Sequence, residues 1–274
     1  APLLFLISPK TKTNYDTAIQ HALPHLTTKE RREIAQKSIT KTYKNRLFYT
    51  ELSQTSLHKI QTQLQKTRII GQEKIPAILD QKRPILIITI HLSHYLLGLL
   101  KLAQTTPSHR PITVIKWHEH SKKEEAAYKK FKELGIQLNI LRLRRKPAIQ
   151  ALKTLKKGHI LVLLSDIDPH LVDTTTVHMF NQPTRFASGP AQLAIASKAL
   201  ILPIVTHPLP NKKFALTLHD PIDSQIHSKS THTYLEKTEF ITQHIATIVE
   251  KWILQHPHQW EGWPLLLNNR KQPL

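Results

Sequence analysis

A histidine at the end of a predicted strand is the residue of this chain best placed to do chemistry. The run PILIITI (84–90) is continuously apolar and rich in β-branched residues, which predicts a strand covered on both faces, and His91 follows it directly. A histidine held there in one tautomer can accept a proton from a hydroxyl that attacks a carbonyl carbon. The chain has 18 histidines, so position alone does not assign this role to His91.

Other polar groups follow two further predicted strands. Lys116 comes after PITVI (111–115), and Asp166 and Asp168 come after HILVLLS (159–165). Ligands of open α/β sheets bind beyond the carboxyl ends of the strands, so these side chains and His91 predict a cleft at one edge of the sheet. Lys116 either binds a phosphate or is a solvated lysine. As a phosphate ligand it is less directional than an arginine.

The two aspartates and a nearby arginine admit more than one role. Two acids without a third are weak support for a calcium or magnesium site, so Asp166 and Asp168 are better interpreted as bracing the active-site loop or pairing with Arg185. Arg185 precedes the helix that Ser188 and Gly189 are predicted to begin. Free N–H groups at a helix start can hold a phosphate or an oxyanion, and a plain salt bridge is the alternative for Arg185.

The elements that must position these residues form an alternating pattern. Thr27 and Glu30 have the spacing of a capping box that begins a helix, and the first third of the chain is predicted to be helical. From residue 84 onward, apolar strand-like runs alternate with helical segments that end at glycines. The sequence therefore predicts an α/β fold with a mostly parallel or mixed central sheet flanked by helices. We expect an N-terminal helical, membrane-proximal segment at 1–66 and the α/β domain at 67–274.

The amino-acid composition limits the classes of site and of binding partner that the chain can have. No cysteine is present, which excludes disulfides, zinc–thiolate sites and thiol catalysis. The 39 Lys and Arg against 19 Asp and Glu predict an anionic partner, and thirteen of these basic residues lie in 116–157 beside four acidic ones. Nucleic acid is disfavoured, because only 6% of residues are aromatic and no nucleic-acid-binding motif is recognisable. The apolar start APLLFLIS, followed by basic residues, is either the end of a membrane anchor or an ordered terminus.

Six segments, by their order along the chain, carry a resemblance to a known family. HLSHYLLGLL resembles the H-x-x-x-x-[DE] motif of the glycerolipid acyltransferase superfamily, and the whole order is similar to the late lipid A acyltransferases (lauroyl and myristoyl transferases). The other segments are SPKTKTNYDTAIQHALPHLTTKERREIAQKSI, RIIGQEKIPAILDQKRPILIITIH, LKTLKKGHILVLLSDIDP, TRFASGPAQLAIASKALILPIV and ILQHPHQWEGW. Together they cover roughly residues 8–271.

The resemblance implies an acyltransferase of lipid A and lipopolysaccharide synthesis. Its donor would be the thioester of acyl carrier protein, a small acidic protein, and its acceptor an anionic membrane lipid or glycolipid. His91 would be the general base with Asp166 and Asp168 in the catalytic loop, while Lys116, Arg185, His94, Ser188 and Gly189 would bind substrate. No metal, nucleotide or redox cofactor is implied. The protein would act at the cytoplasmic face of the bacterial inner membrane, peripherally or through an N-terminal anchor.

One position departs from the family pattern. Five residues after His91 the family has Asp or Glu, and this chain has Leu96. The missing acid normally orients the imidazole and stabilises its protonated form. One interpretation is that another acid approaches in space; the candidates are Glu119, Asp166 and Asp168. A second is that neutral His91 suffices for a reactive thioester, with help from His94. A third is that the chain only binds a lipid or partner; transfer of an aminoacyl-type group is a further alternative.

Overall fold

The computed structural model describes residues 9–116, 121–142, 147–211, 213–225 and 233–268, and it begins with three helices. They are α1 (Pro9–Ala22), α2 (Thr28–Gln54) and α3 (Leu57–Lys66). The predicted capping box is confirmed at the start of α2, where the Thr27 hydroxyl accepts from the Glu30 N–H and the Glu30 carboxylate accepts from the Thr27 N–H. These reciprocal bonds satisfy amides that a helix start leaves unpaired.

The strands form one large mixed sheet and one separate hairpin. The described residues contain β1 (Thr67–Ile70), β2 (Ile85–Thr89), β3 (Ile112–Lys116), β4 (Leu138–Arg142), β5 (Ile160–Leu164), β6 (Thr174–Met179), β7 (Gln182–Ala187), β8 (Leu200–Leu209), β9 (Lys213–Leu218) and β10 (Ile222–Asp223). The sheet order is β1-β9-β8-β2-β5-β3-β4, with β10 beside β8 and β6 paired only with β7. Strand pairs are parallel except β8–β9 and β8–β10 in the sheet. The predicted α/β class is confirmed.

Helices cover both faces of the sheet. They are α4 (Lys74–Asp80), α5 (Tyr95–Thr105), α6 (Lys122–Glu133), α7 (Pro147–Lys156), α8 (Gly189–Ser197), α9 (Tyr234–Gln255), a 3-10 turn (Pro257–Gln259) and α10 (Leu265–Asn268). In β2, Leu86 and Ile88 join the apolar core that contains α8 and α9, while Ile85 and Ile87 join the core that contains α5 and α6. Alternate side chains of a strand point to opposite faces, so a strand covered on both sides is apolar throughout. None of the described helices is long and apolar enough to cross a membrane.

Several elements were not predicted. The hairpin β6–β7 consists largely of threonine, histidine, glutamine and arginine, so no apolar run marks it in the sequence. It is paired with itself and packs on α9 rather than joining the sheet. The four-residue strand β1 is short and has an alternating burial pattern. Both elements depend on distant partners, β9 for β1 and α9 for the hairpin, and local composition does not reveal such partners.

Gly98 is required where α5 crosses β8, and its replacement tests this packing. A Cβ there would overlap Thr206 Oγ1 and approach Leu216 Cδ1 to 3.1 Å. We expect Gly98→Ala to lower the free energy of unfolding by about 1–3 kcal/mol, because overpacking outweighs the better helix propensity of alanine. The measurement is urea denaturation. Gly189→Ala is the matched control, since an added Cβ meets no heavy atom within 4 Å there; equal stability of both variants would contradict the prediction.

Candidate active site

The pairing of β2 with β5 brings His91 beside Asp166. The two strands are parallel with Thr89 opposite Leu164, and the Ser165 N–H donates to the Thr89 carbonyl at 2.8 Å, one residue beyond the paired strands. His91 and Asp166 each lie two residues beyond that matched pair. The His91 backbone N–H donates to Asp166 Oδ2 at 2.9 Å, and His91 Nδ1 lies 2.9 Å from Asp166 Oδ1. Both oxygens of the Asp166 carboxylate therefore contact His91.

A third donor fixes this carboxylate from behind. Trp260 Nε1–H donates to Asp166 Oδ2 at 2.9 Å, and the Asp166 side chain is 2% exposed. A carboxylate that receives N–H donors acts as the acceptor, so Nδ1 of His91 carries the proton in this pair. Nε2 is then the basic nitrogen of the neutral ring. The His91 side chain is 35% exposed and lines a cleft, so a substrate can reach it.

The segment after α9 also holds the backbone of the His91 loop. The Ser93 N–H donates to the Gln259 carbonyl at 3.0 Å, and the Glu261 N–H donates to the His91 carbonyl at 3.1 Å. The side-chain amide of Asn45, from α2, donates to the Ser93 carbonyl at 2.8 Å and to the Glu261 carboxyl. Three separate parts of the chain thus fix the position of His91, which is the support that a precisely oriented base requires.

The cleft in front of His91 has a volume of about 1300 Å³ and a lining of mixed polarity. Apolar lining side chains come largely from the sheet and α5, among them Leu96, Leu99, Val114, Ile140 and Leu164. Polar lining side chains come from α1, α2, α6 and the C-terminal segment, among them Thr11, Asn14, Thr42, Asn45, Glu124 and Glu261. His91 lies on this cleft with Asp166 behind it. The cleft therefore has surfaces for both an apolar and a polar part of a ligand.

Opposing influences set the proton affinity of His91. Burial lowers the pKa of His91, while the charge and hydrogen bond of Asp166 and the charge of Glu261 raise it, and the result lies above the usual value. A carboxylate that pairs with an imidazole stabilises its charged form. A base of this kind accepts a proton more strongly than a free histidine, but it is neutral only at pH values above the raised pKa.

The predicted residues Lys116 and Asp168 also line the cleft, but neither contacts His91. Lys116 Nζ forms an ion pair with Glu124 and lies 5.3 Å from the centre of the Tyr49 ring. Asp168 Oδ1 accepts from the backbone N–H of His170 at 3.0 Å, so this aspartate stabilises its own loop. Lys116 is held by an acid and would have to exchange that partner to bind a phosphate.

The predicted anion site at the start of α8 lies apart from the cleft. Arg185 donates from Nε and Nη2 to Thr174 Oγ1 at 3.1 and 2.9 Å, across the β6–β7 hairpin. Ser188 is buried, and its N–H donates to the Asp173 carbonyl at 3.0 Å. Among the residues that the structure describes, neither these two nor Gly189 lines the cleft. Their proposed role in substrate binding stays a prediction.

His94 has a different environment from His91. Its ring lies between Phe48 and Phe214, with centroid distances of 5.4 and 4.7 Å. Burial, with the charges of Lys41 and Lys44, lowers the pKa of His94 to about 4. Such a ring is neutral at physiological pH and does not line the cleft, so the geometry does not support its assistance to His91. The third candidate acid, Glu119, lies outside the described residues.

The supporting residues were not recognised individually from the sequence. Trp260 and Glu261 belong to the segment HPHQWEGW, which marked the C-terminal end of the resemblance but was not connected with His91. Asn45 is one polar residue on a long charged helix, and no local pattern distinguishes it. The hydrogen bonds that these three residues make with the His91 loop, with Asp166 and with one another span 48 residues or more of sequence, so only the folded chain reveals them.

The fold and the site define a class of α/β proteins in which a histidine–carboxylate pair faces a cleft at the carboxyl edge of the sheet. The family model described as bacterial lipid A biosynthesis acyltransferase matches residues 4–265, and the chain belongs to this family. A search of curated proteins finds no match. The resemblance expected from the sequence is confirmed, and the membership indicates acyltransferase activity in lipid A biosynthesis as a general class.

Removal of the Asp166 charge tests the origin of the His91 proton affinity. We expect Asp166→Asn to lower the pKa of His91, because burial remains and both contributions of Asp166 that oppose it disappear. The asparagine amide also no longer selects the Nδ1–H tautomer. Both effects are measurable by NMR titration of the His91 ring.

Asp168→Asn is the matched control, since Asp168 bonds to its own loop and to Asn268 but not to His91. We expect the His91 titration to be unchanged in this variant. Equal His91 pKa values in Asp166→Asn and in the unmodified protein would contradict the assignment.

Proposed function

We propose that this protein transfers an acyl group from a carrier-protein thioester to a hydroxyl of a lipid A-like membrane glycolipid, with His91 as the general base. The observation that carries the proposal is the bond between His91 Nδ1 and Asp166, which leaves Nε2 as the basic nitrogen beside an accessible cleft. The family membership supplies the reaction class. The donor, the acceptor and the identity of the base are our proposal.

The reaction needs only the transfer of one proton and one acyl group. His91 Nε2 accepts the proton of the acceptor hydroxyl while that oxygen forms a bond to the thioester carbonyl carbon. The tetrahedral intermediate then collapses, the carbon–sulfur bond breaks, and the imidazolium returns the proton to the departing thiolate. Asp166 stabilises the imidazolium between these two steps and keeps the ring in one orientation.

The mixed lining of the cleft suits the two substrates. Its apolar side chains, which include Leu96 and Leu99, can bury the hydrocarbon part of an acyl chain, and each buried methylene contributes about 0.8 kcal/mol. Its polar side chains, which include Asn14 and Thr42, offer amide and hydroxyl groups of the kind that bind sugar hydroxyls. His91 lies on the same cleft, as the attack of a hydroxyl on an acyl carbon requires.

The surface charge suits an acidic donor protein. Exposed lysines of α6, at positions 122, 123, 129 and 132, belong to the basic stretch 116–157. Complementary charges increase the rate of encounter between partners and favour the correct orientation. Acyl carrier protein and anionic lipid head groups both have the required negative charge, and we propose the former as donor and a membrane glycolipid as acceptor. Part of the stretch, at 117–120 and 143–146, lies outside the described residues.

Replacement of the base tests the proposed function directly. Purified protein is incubated with radiolabelled acyl-carrier-protein thioesters and total membrane lipid, and lipid-bound label is measured. We expect His91→Ala to lower the rate by about 10²- to 10⁴-fold, the usual contribution of a general base. His58→Ala, an exposed change on α3, is the control and keeps the full rate. Product formation at an unchanged rate in His91→Ala would refute the mechanism.

Restoring the acid of the family motif tests whether Asp166 already fills its role. Leu96 is 5% exposed and is one of the apolar residues that line the cleft, so a carboxylate there loses hydration without gaining a free partner on His91. We expect Leu96→Glu to lower the transfer rate. The control is Leu96→Met, which conserves volume and polarity and should keep the rate within a few-fold. A faster reaction in Leu96→Glu would show that the imidazole lacks an adequate partner.

A further inference from the structure

We propose that Glu261 is a second acidic positioning residue of His91 and stabilises its imidazolium together with the buried Asp166. This inference rests on the proposed function, because it concerns the charge that His91 acquires during acyl transfer. Glu261 lines the cleft together with His91, and its backbone N–H donates to the His91 carbonyl at 3.1 Å. The family motif supplies one acid to the imidazole, whereas this site supplies two acids from elsewhere in the chain.

Two helices hold Glu261 in this position. The Asn45 side-chain amide, from α2, donates one hydrogen to the Glu261 carboxyl and the other to the Ser93 carbonyl, so it connects this acid to the His91 loop. The Tyr15 hydroxyl, from α1, donates to the Glu261 backbone carbonyl at 3.1 Å. Fixed dipoles and hydrogen bonds that hold a charge before reaction reduce the reorganisation that the reaction requires. Glu261 is therefore held at the cleft rather than extended into solvent.

The charged and titratable groups around Glu261 come from several elements. His91 and Asp166 follow β2 and β5, Lys41 lies on α2, and Tyr95 lies on α5. Burial raises the pKa of the Glu261 carboxyl, while the Asn45 hydrogen bond and the charges of His91 and Lys41 lower it and that of Asp166 raises it; the result is above the usual value. Burial lowers the pKa of Lys41 to about 8, and the charge of Glu261 opposes this effect.

The two acids have different roles. Asp166 is almost fully buried and bonds directly to Nδ1, so it sets the tautomer and the orientation of the ring. Glu261 acts through its charge and is accessible from the cleft. When Nε2 accepts the proton of the acceptor hydroxyl, the negative charges of both carboxylates stabilise the new positive charge. When the proton passes to the departing thiolate, the ring returns to its neutral form and the acid at 261 is unchanged.

The test separates charge from structure. Glu261→Gln keeps an oxygen that can accept from Asn45 and removes the negative charge. We expect the pKa of His91, followed by ring NMR without substrates, to fall, so that the rise of the rate with pH begins at lower pH. At the pH optimum of the unmodified protein we expect kcat to fall several-fold with little change in KM. Glu239→Gln, an exposed change on α9, is the control and should alter neither quantity.

Two further measurements make the result decisive. Glu261→Asp keeps the charge, and we expect a His91 pKa nearer to that of the unmodified protein than in Glu261→Gln. If the glutamine variant does not fold, the unmodified protein can be labelled with ¹³C at glutamate, so that the titration of the Glu261 carboxyl is followed beside that of the His91 ring. We then expect the His91 curve to contain a second step at the pH where the Glu261 carboxyl titrates. An unchanged His91 pKa in Glu261→Gln, or a single-step curve, overturns the inference. Because ring titration needs no substrate, absence of acyl transfer with a shifted His91 pKa would contradict the proposed function alone.

Discussion

The register between β2 and β5 is the constraint on which the candidate site depends. Thr89 lies opposite Leu164 at the end of the paired strands. His91 and Asp166 each lie two residues further on, so their side chains face each other. A shift of one residue would turn the Asp166 side chain to the other face of the sheet and leave His91 without its partner. The pairing of β2 with β5 on one side and with β8 on the other holds this register between two apolar cores, so the packing of the whole sheet positions these two polar side chains.

This constraint gives a physical account of a family member without the motif acid. An acid five residues after the histidine would come from the first turn of α5, close in sequence and position. Asp166 reaches the same imidazole from a neighbouring strand, and it is fixed by the His91 N–H and by Trp260. Position 96 can then carry an apolar side chain that lines the cleft. Of the three interpretations of Leu96, the one in which another acid approaches fits this geometry.

Much of the fold was predictable because its central strands are buried on both faces. Continuous apolar runs predicted β2, β3 and β5 to within one residue at each end, and Thr27 with Glu30 predicted the start of α2. The histidine and Asp166 were predictable as candidates because each follows such a run. The contact between the two residues was not predictable, because a sequence does not reveal which parallel strands are neighbours. In the sheet β2 lies between β5 and β8, and both of these strands are far from β2 along the chain.

The rest of the site depends on contacts that no local pattern encodes. The Glu261 backbone bonds to the His91 carbonyl because α9 returns the chain to the sheet edge and the turn at Pro257–Gln259 directs the chain along the His91 loop. The same course of the chain brings Trp260 beside Asp166. The Trp260 side chain is buried there, and its single N–H donor bonds to the Asp166 carboxylate. A buried carboxylate needs several donors to offset its lost hydration, and an imidazolium needs negative charge nearby. Trp260 meets the first requirement, and in the proposed mechanism Glu261 meets the second, so a rigid C-terminal segment serves the proposed catalysis as well as the packing.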